Sequence, residues 1–523
     1  MEPTHLRFGG GSPDTLIHPL VAGVALIALI AILCLSRKHA SAALLLGAFL
    51  IPVGQVVVLG GIHFTVLRIL ILAGLIRAVT SKEKMFHGGF NSLDWFVTLW
   101  ACSALIVISL QYMQLPAVIK NMGDFLDALG GYYVVRFLIR TTSDMRWVVK
   151  VFAAVAVVSA VCMINEQITH QNVFGLLGGV QLTPQIRAGS ARSQAAFGVY
   201  IEAGEFGAIL VPLLVWLWSD KRSRIAACVG MIGASGMVLT SHSSTPLLAL
   251  AAGILGFCLW PLRRRMRIVR YGLVSMLIAL HLVMNGPVWA LIGRVDLTGS
   301  SSGFHRYYLV DCTIRHFSDW WLLGYRDFDK WGWDMWDLSN HYVSIALTGG
   351  LISLVFFLGI LARGFGGLGT ARKRVSGQRK QEWLFWCLGS ALFAHIVGWF
   401  GCSYMAQMYM TLFPLLAMIS EAVGRGAPGS PGMKDSRHVV PSGDAESVAL
   451  WSWKGTTSAQ FAPRRRKPSV TAFASLPARA RPSRKRNAAC SVRWAGTSLP
   501  NMLFPSFPGL PGRIFATRAP LRT

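Results

Sequence analysis

The chain has 523 residues, of which 53% are hydrophobic and only 14% charged, yet its formal net charge is +27. Uncharged runs of roughly twenty residues recur from position 16 to 419, which fits a polytopic membrane protein and excludes the soluble fold classes. In hydrocarbon such runs satisfy their backbone hydrogen bonds as helices, whereas barrel strands would show about ten residues of period two, so a helical bundle is expected.

Residues 1–15 form a short N-terminal segment. The first apolar run, 16–35, has neither a basic n-region nor an A-x-A-like cleavage site and reads as a retained span. Further spans are predicted at 41–60, 64–79, 92–110, 125–139, 147–164, 202–218, 225–240, 244–260, 269–285, 342–362, 383–400 and 404–421. The transmembrane domain is therefore 16–421, with about 12–13 helices. Arg68 in "FTVLRILIL" and Arg136 in "YYVVRFLIRT" interrupt two of them; Arg136 is expected to reach the cytoplasmic face and Arg68 the external one.

Short loops alternate in charge: "SRKHAS", "SKEK", "RTTSDMR", "SDKRSR", "PLRRRMRIVR" and "TARKRVSGQRK" are basic, while "GGIHF", "SHSST" and "GCSYMAQ" are not. Because Lys and Arg are retained on the cytoplasmic side, the two long loops, 165–201 and 286–340, are expected to be external, and an odd span count leaves the C-terminus inside. Residues 422–523 contain "PRRRKPSV" and "ARARPSRKRNAAC", a Pro-, Ser- and Arg-rich composition expected of a disordered basic cytoplasmic tail. That tail either is simply solvated or binds anionic membrane lipids. Charge distributed this way serves topogenesis, and no nucleic-acid partner is expected.

The nine cysteines lie mainly within apolar runs and form no CxxC pair, so neither a disulfide framework nor a zinc site is indicated. "GFGGLG" at 364–369 matches GxGxxG but follows a membrane helix rather than a strand, and is expected to be a flexible loop. "DFD" at 327–329 has the form of a metal-binding DxD but falls on the external side, where nucleotide sugars are not expected. No P-loop, HExxH or G-x-S-x-G occurs, and no metal or cofactor is predicted.

The first long loop ends in "QIRAGSARSQAAFGVYIEAGEFGAIL", with Arg187 and Arg192 ahead of Glu202 and Glu205 at the next span. The carboxylates serve either as a reserve base or as neutralising neighbours. The second loop carries Arg306, Arg315 and Arg326 among Trp331, Trp333, Trp336 and several tyrosines. Guanidinium forks pair with phosphate oxygens, and flat rings stack on pyranose faces, so this mixture suits a phosphate-linked sugar. An interfacial aromatic belt would give the same tryptophans. His341 opens the span after "DLSN", either as an outward functional group or as a histidine snorkelling at the interface.

Taken in order, R-x10-G from Arg187 to Gly198, "HRYYLVDCTIRHF...WLLGY" ending at Tyr325, and a histidine before "GGLISL" resemble the superfamily of O-antigen ligases and O-antigen or exopolysaccharide polymerases. The resemblance covers roughly 41–419. The ligase-type pattern H-x7-E-G would place Gly349 where a glutamate stands, and the polymerase-type pattern D-N-x-Y fits "SNHY" with Ser339 at the aspartate, so both alignments stay open.

The resemblance implies a bacterial inner-membrane enzyme, a lipid-diphosphate-dependent glycosyltransferase working on the periplasmic face. It transfers glycan from an undecaprenyl-diphosphate-linked donor to a hydroxyl of an acceptor glycan or lipid A core, with inversion. In that scheme Arg187, Arg306 and His341 are catalytic, the arginines bearing on the departing diphosphate and the histidine acting as base. Arg192, Arg315, Trp331, Trp333 and Trp336 bind substrate. A transporter or flippase for lipid-linked sugars, or a non-catalytic subunit of a polysaccharide synthase complex, are the alternatives.

Overall fold

Helix boundaries follow local capping chemistry. In the structure, a computed structural model, the Asn91 side chain accepts from the Leu93 and Asp94 amides while Asp94 reaches back to the Asn91 N–H, and Thr141 with Asp144 repeats this reciprocal cap. The structure describes residues 15–187, 189–294, 303–332 and 334–425. The segment 1–14, Trp333 and the tail beyond 425 lie outside the described residues.

The chain runs through α1 (Pro19–Cys34), α2 (Arg37–Leu50), a hairpin of β1 (Val56–Leu59) and β2 (Ile62–Thr65), α3 (Val66–Thr80) and α4 (Ser92–Tyr112). Then come α5 (Leu115–Phe125), a π turn (Leu126–Gly130), α6 (Gly131–Leu138) and α7 (Thr142–Thr169). A second hairpin, β3 (Gln185–Arg187) with β4 (Ser190–Arg192), precedes α8 (Tyr200–Trp218), α9 (Arg224–Thr240), α10 (Ser244–Cys258) and α11 (Met266–Val283). The second long loop holds α12 (Leu291–Arg294), α13 (Gly303–Arg315) and α14 (Phe317–Trp320), and α15 (His341–Arg374), α16 (Arg379–Gly398) and α17 (Ala406–Arg425) follow.

The protein is helical, and among the described residues seven helices are long and apolar enough to cross a membrane, with α1 and α10 apolar but shorter. Small residues bring the helices of the centre together. A Cβ at Gly230 would stand 2.6 Å from the Cβ of Ala153, and one at Gly233 would stand 2.8 Å from the Val157 nitrogen, so α9 lies directly on the backbone of α7. Phe49, Phe152, Phe197 and Phe206 cluster beside them, with centroids 4.7 to 6.0 Å apart. Phe197 belongs to the first long loop, so the core itself anchors that loop.

Three expectations need correction. The span predicted from 125 begins at Leu115 and passes through the π turn, because Lys120, Asn121 and Asp124 put a polar face on α5 that reads falsely as a loop. "GFGGLG" is helical within α15, where packing of α15 against α16 and α17 outweighs the low helix propensity of glycine. Arg136 is 1% exposed: its guanidinium lies 3.5 Å from Asp94 and 3.6 Å from Glu421 and donates to the His87 carbonyl, a buried ionic network in place of a cation reaching for water.

The basic loops share one end of the bundle, where Glu83 pairs with both Arg37 and Arg140, and Glu382 with Arg263. The long loops gather at the other end, tied by Gln55 to Leu177 and Gly178, Ser193 to Thr240, and His341 to Trp399.

Candidate functional site

The residue at the centre of the loop end is Arg306, in the first turns of α13 and 7% exposed. Its guanidinium lies against the bare Cα of Gly401, where a Cβ would come 3.0 Å from Cζ, and its Nε has no hydrogen-bond partner. Burial pulls this guanidinium below the ordinary arginine value, and Cys402, Tyr200 and Asp337 oppose that effect while Arg187 adds to it. It remains a cation, since arginine does not lose its proton in proteins.

Two further arginines come from the first long loop through the β3–β4 hairpin, in which Gln185 pairs with Arg192 and Arg187 with Ser190. Arg187 is exposed, whereas Arg192 is 4% exposed, donates to the Tyr200 hydroxyl at 2.6 Å and lies 4.7 Å from the Tyr200 ring centre. The following backbone is fixed from below: Glu166 accepts from the Gln194 and Ala195 amides at 3.1 Å each, and Asn172 donates to the Ala195 carbonyl. Two loops distant in sequence thus bring Arg192 onto Tyr200 and set Arg306 within electrostatic reach of both Tyr200 and Arg187.

Facing them is a carboxylate pair. Glu202 and Glu205, three residues apart on the first turns of α8 and so on one face, are 1% and 0% exposed. Glu202 accepts from the Met405 amide at 3.3 Å, and Glu205 lies beside Tyr404 and Arg306. The segment 399–405 between α16 and α17 therefore forms a strap, with Arg306 and the carboxyl groups on one side of it.

His341 lies on the other side. It is the first residue of α15, where the Asn340 side chain accepts from the Tyr342 and Val343 amides, and its own amide donates to the Trp399 carbonyl at 2.9 Å. At 1% exposure it is buried, among the rings of Phe357, Trp399, Tyr404 and Tyr409 at 5.3 to 5.6 Å. A snorkelling histidine would be exposed, so that alternative is removed. The Tyr404 amide donates to Nδ1 at 3.3 Å, which puts the ring proton on Nε2, 3.3 Å from the Tyr409 hydroxyl. Tyr404 in turn bonds His395 Nδ1 through its hydroxyl at 2.7 Å.

His341 also lines a cavity of about 500 Å³ between α4, α5, the start of α15 and the strap. Beside it the π turn presents Asp127 to Arg68, at 2.7 Å, and Arg68 further contacts Asp124 at 3.3 Å and the His63 carbonyl. Arg68 thus stays near the loop end, tied into the β1–β2 hairpin.

The remaining predicted residues stand apart. Arg315 is nine residues from Arg306, about 14 Å along the helix, largely exposed and paired with Asp311 at 2.8 Å. Trp331 stacks on His316 at 4.6 Å and on Tyr325 at 4.9 Å, so its ring is engaged within the loop. Trp336 is exposed at 72%, and Trp333 lies outside the described residues. Asp327 of the "DFD" stretch pairs with Lys330. Among the described residues no three His, Cys, Asp or Glu side chains are gathered as a metal site.

Sequence reasoning passed over Tyr404, Tyr409, His395 and Asn121, and left Glu202 and Glu205 outside the catalytic set. The i, i+3 spacing of the glutamates at a helix start was the available signal; "GCSYMAQ" carried none beyond its lack of charge. No protein-family model matches this chain, and no curated protein matches it.

Proposed function

We propose that the protein is an inverting membrane glycosyltransferase that moves a glycan from an undecaprenyl-diphosphate-linked donor to a hydroxyl acceptor, as an O-antigen ligase or an O-antigen or exopolysaccharide polymerase. The observation that carries this is the approach of Arg192 and Arg306, from two distant loops, to Tyr200, with Arg187 in electrostatic reach of Arg306 and the buried Glu202 and Glu205 side chains behind them. The enzyme crosses the bacterial inner membrane about 12–13 times, with the loop end periplasmic, as the charge alternation supports.

In this scheme the arginines hold the diphosphate and take up the charge that grows on it as the anomeric C–O bond breaks. The acceptor oxygen forms the new bond from the opposite face, its proton passes to His341, and undecaprenyl diphosphate leaves. To take that proton at Nδ1, His341 exchanges the long contact from the Tyr404 amide for the acceptor hydroxyl. Glu205, beside Arg306 and Tyr404, holds the arginine side in place, and Glu202 fixes the strap through the Met405 amide.

The test is to incubate the purified protein in detergent with undecaprenyl-diphosphate-linked repeats, EDTA and no ATP, and to follow product size. Longer lipid-linked chains, absent with Arg306→Ala, support a polymerase, and transfer only after lipid A core is added supports a ligase. Inertness with both acceptors overturns the proposal. Transport of lipid-linked sugars is the second reading, favoured by the buried Arg68–Asp127 pair beside a cavity.

A further inference from the structure

The cavity behind the strap has walls of two kinds. Trp100, Ala104 and Ile108 of α4 and Tyr409 of α17 make it apolar, while Lys120, Asn121 and Asp124 of α5 and Ser344 and Thr348 of α15 make it polar. Lys120 and Asp124, bonded to each other at 3.3 Å, are both about half exposed and mark its mouth. The Arg68 link from Asp124 and Asp127 to the β1–β2 hairpin keeps this mouth near the loop end.

Asn121 is the informative residue. It is 4% exposed, it lines the cavity, and its amide nitrogen has no hydrogen-bond partner. Two N–H donors in a wall that also carries aromatic rings ask for oxygen acceptors from an occupant. An isoprenoid or acyl chain would leave them bare. A sugar answers both wall types, with hydroxyls for Asn121, Lys120 and Asp124 and C–H faces for Trp100 and Tyr409.

We infer that this cavity is a carbohydrate site and, resting on the glycosyltransferase reading, that it holds the acceptor's terminal sugar. His341 lines it directly. The strap is the partition: Tyr404 and Met405 face the cavity, while the Met405 amide bonds Glu202 on the arginine side. On this reading donor diphosphate and acceptor sugar lie on opposite sides of the strap, and a hydroxyl seated in the cavity is the one whose proton His341 takes.

The site is tested by binding, apart from transfer. Ser344→Cys places a thiol on the cavity wall, and its alkylation is followed by peptide mass spectrometry in the full-length protein in detergent. The probes are a panel of neutral methyl hexosides and deoxyhexosides, with farnesyl phosphate and inorganic pyrophosphate beside them. The expected result is that at least one glycoside slows alkylation, that Asn121→Ala or the mouth variant Lys120→Gln weakens this protection about tenfold, and that Arg306→Ala leaves it unchanged. Two variants of different depth guard against a folding defect, which the thermal melt of each reports.

Protection by farnesyl phosphate with none by any glycoside makes the cavity a lipid slot and overturns the inference, as does a panel that gives no protection in a folded protein. Glycoside protection in a protein that transfers nothing keeps the sugar site and retires only the transferase reading. In an active protein, Asn121→Ala should raise the KM for acceptor and not for donor, and the reverse would also overturn the assignment.

Discussion

Gly398 of α16 and Glu205 of α8 claim the same small volume: a Cβ on Gly398 would overlap the Glu205 carboxylate. The two helices approach closely at this point only because position 398 carries no side chain. Gly398→Ala is therefore expected to destabilise the protein by about 1–3 kcal/mol through overpacking. Thermal unfolding in detergent measures this, and the double variant Gly398→Ala with Glu205→Ala should recover much of the loss while staying inactive if Glu205 serves the arginine side.

Arg192 is held by the shape of its guanidinium as well as its charge, since it both donates to the Tyr200 hydroxyl and lies over the Tyr200 ring. Arg192→Lys keeps the charge and loses the planar fork, and is expected to lower transfer markedly with the melting temperature nearly unchanged. Arg306→Ala should cost about 10²–10³ in turnover. Equal activity in wild type and Arg306→Ala would remove electrostatic support of the leaving group from the scheme.

Asp337 gives a pH prediction. Burial pushes its carboxyl above the usual value, the neighbouring His305 opposes that, Asp334 adds to it, and Arg306 opposes it. A carboxyl whose folded pKa is raised contributes stability that is present below its unfolded value near 4 and is lost as pH rises through the folded value. Asp337→Asn, which cannot ionise, should flatten that decline in a series of melts from about pH 4 to 7. An unchanged slope would place the pH dependence elsewhere.

Arg68 and Asp127 are both largely buried, so removing one partner strands the other. Arg68→Ala is expected to cost about 3–5 kcal/mol, whereas Arg68→Ala with Asp127→Ala should cost clearly less. Equal melting temperatures for the single and double variants would show that the stranded Asp127 carries no penalty of its own. Vesicle uptake of lipid-linked sugar, lost in Arg68→Ala but kept in Arg306→Ala, would favour the transport reading.

The helical, membrane-crossing character was legible because hydrocarbon imposes long apolar runs, and the positions of Arg187, Arg192 and Arg306 in the two loops could be read from their charge. Their convergence could not, because it depends on Glu166, Asn172 and Thr240 fixing the loop backbone, contacts that leave no pattern in one sequence. Arg136 and Arg68 were read as exceptions to hydropathy, while their partners Asp94, Glu421 and Asp127 lie far off in the chain. The Asn121 cavity was hidden for a related reason: α5 is amphipathic and its apolar face is outward, so the sequence there reads as a loop approaching a span.

Helix α15 is interrupted at Gly350, where φ is +66°, and the break is filled by the second long loop: the Leu351 amide donates to the Trp321 carbonyl and the Tyr325 amide to that of Leu347. The turn that carries His341 is therefore clamped by loop backbone on one side and by the strap, through Trp399, on the other. The loop backbone thus grips α15 on both sides of Gly350, at Leu347 and at Leu351, and the placement of the His341 ring depends on the fold of a loop that is distant in sequence from the arginine hairpin. Gly350→Ala, which must accept a positive φ and bring a Cβ to 2.6 Å from the Leu322 carbonyl oxygen, would push loop and helix apart at this junction.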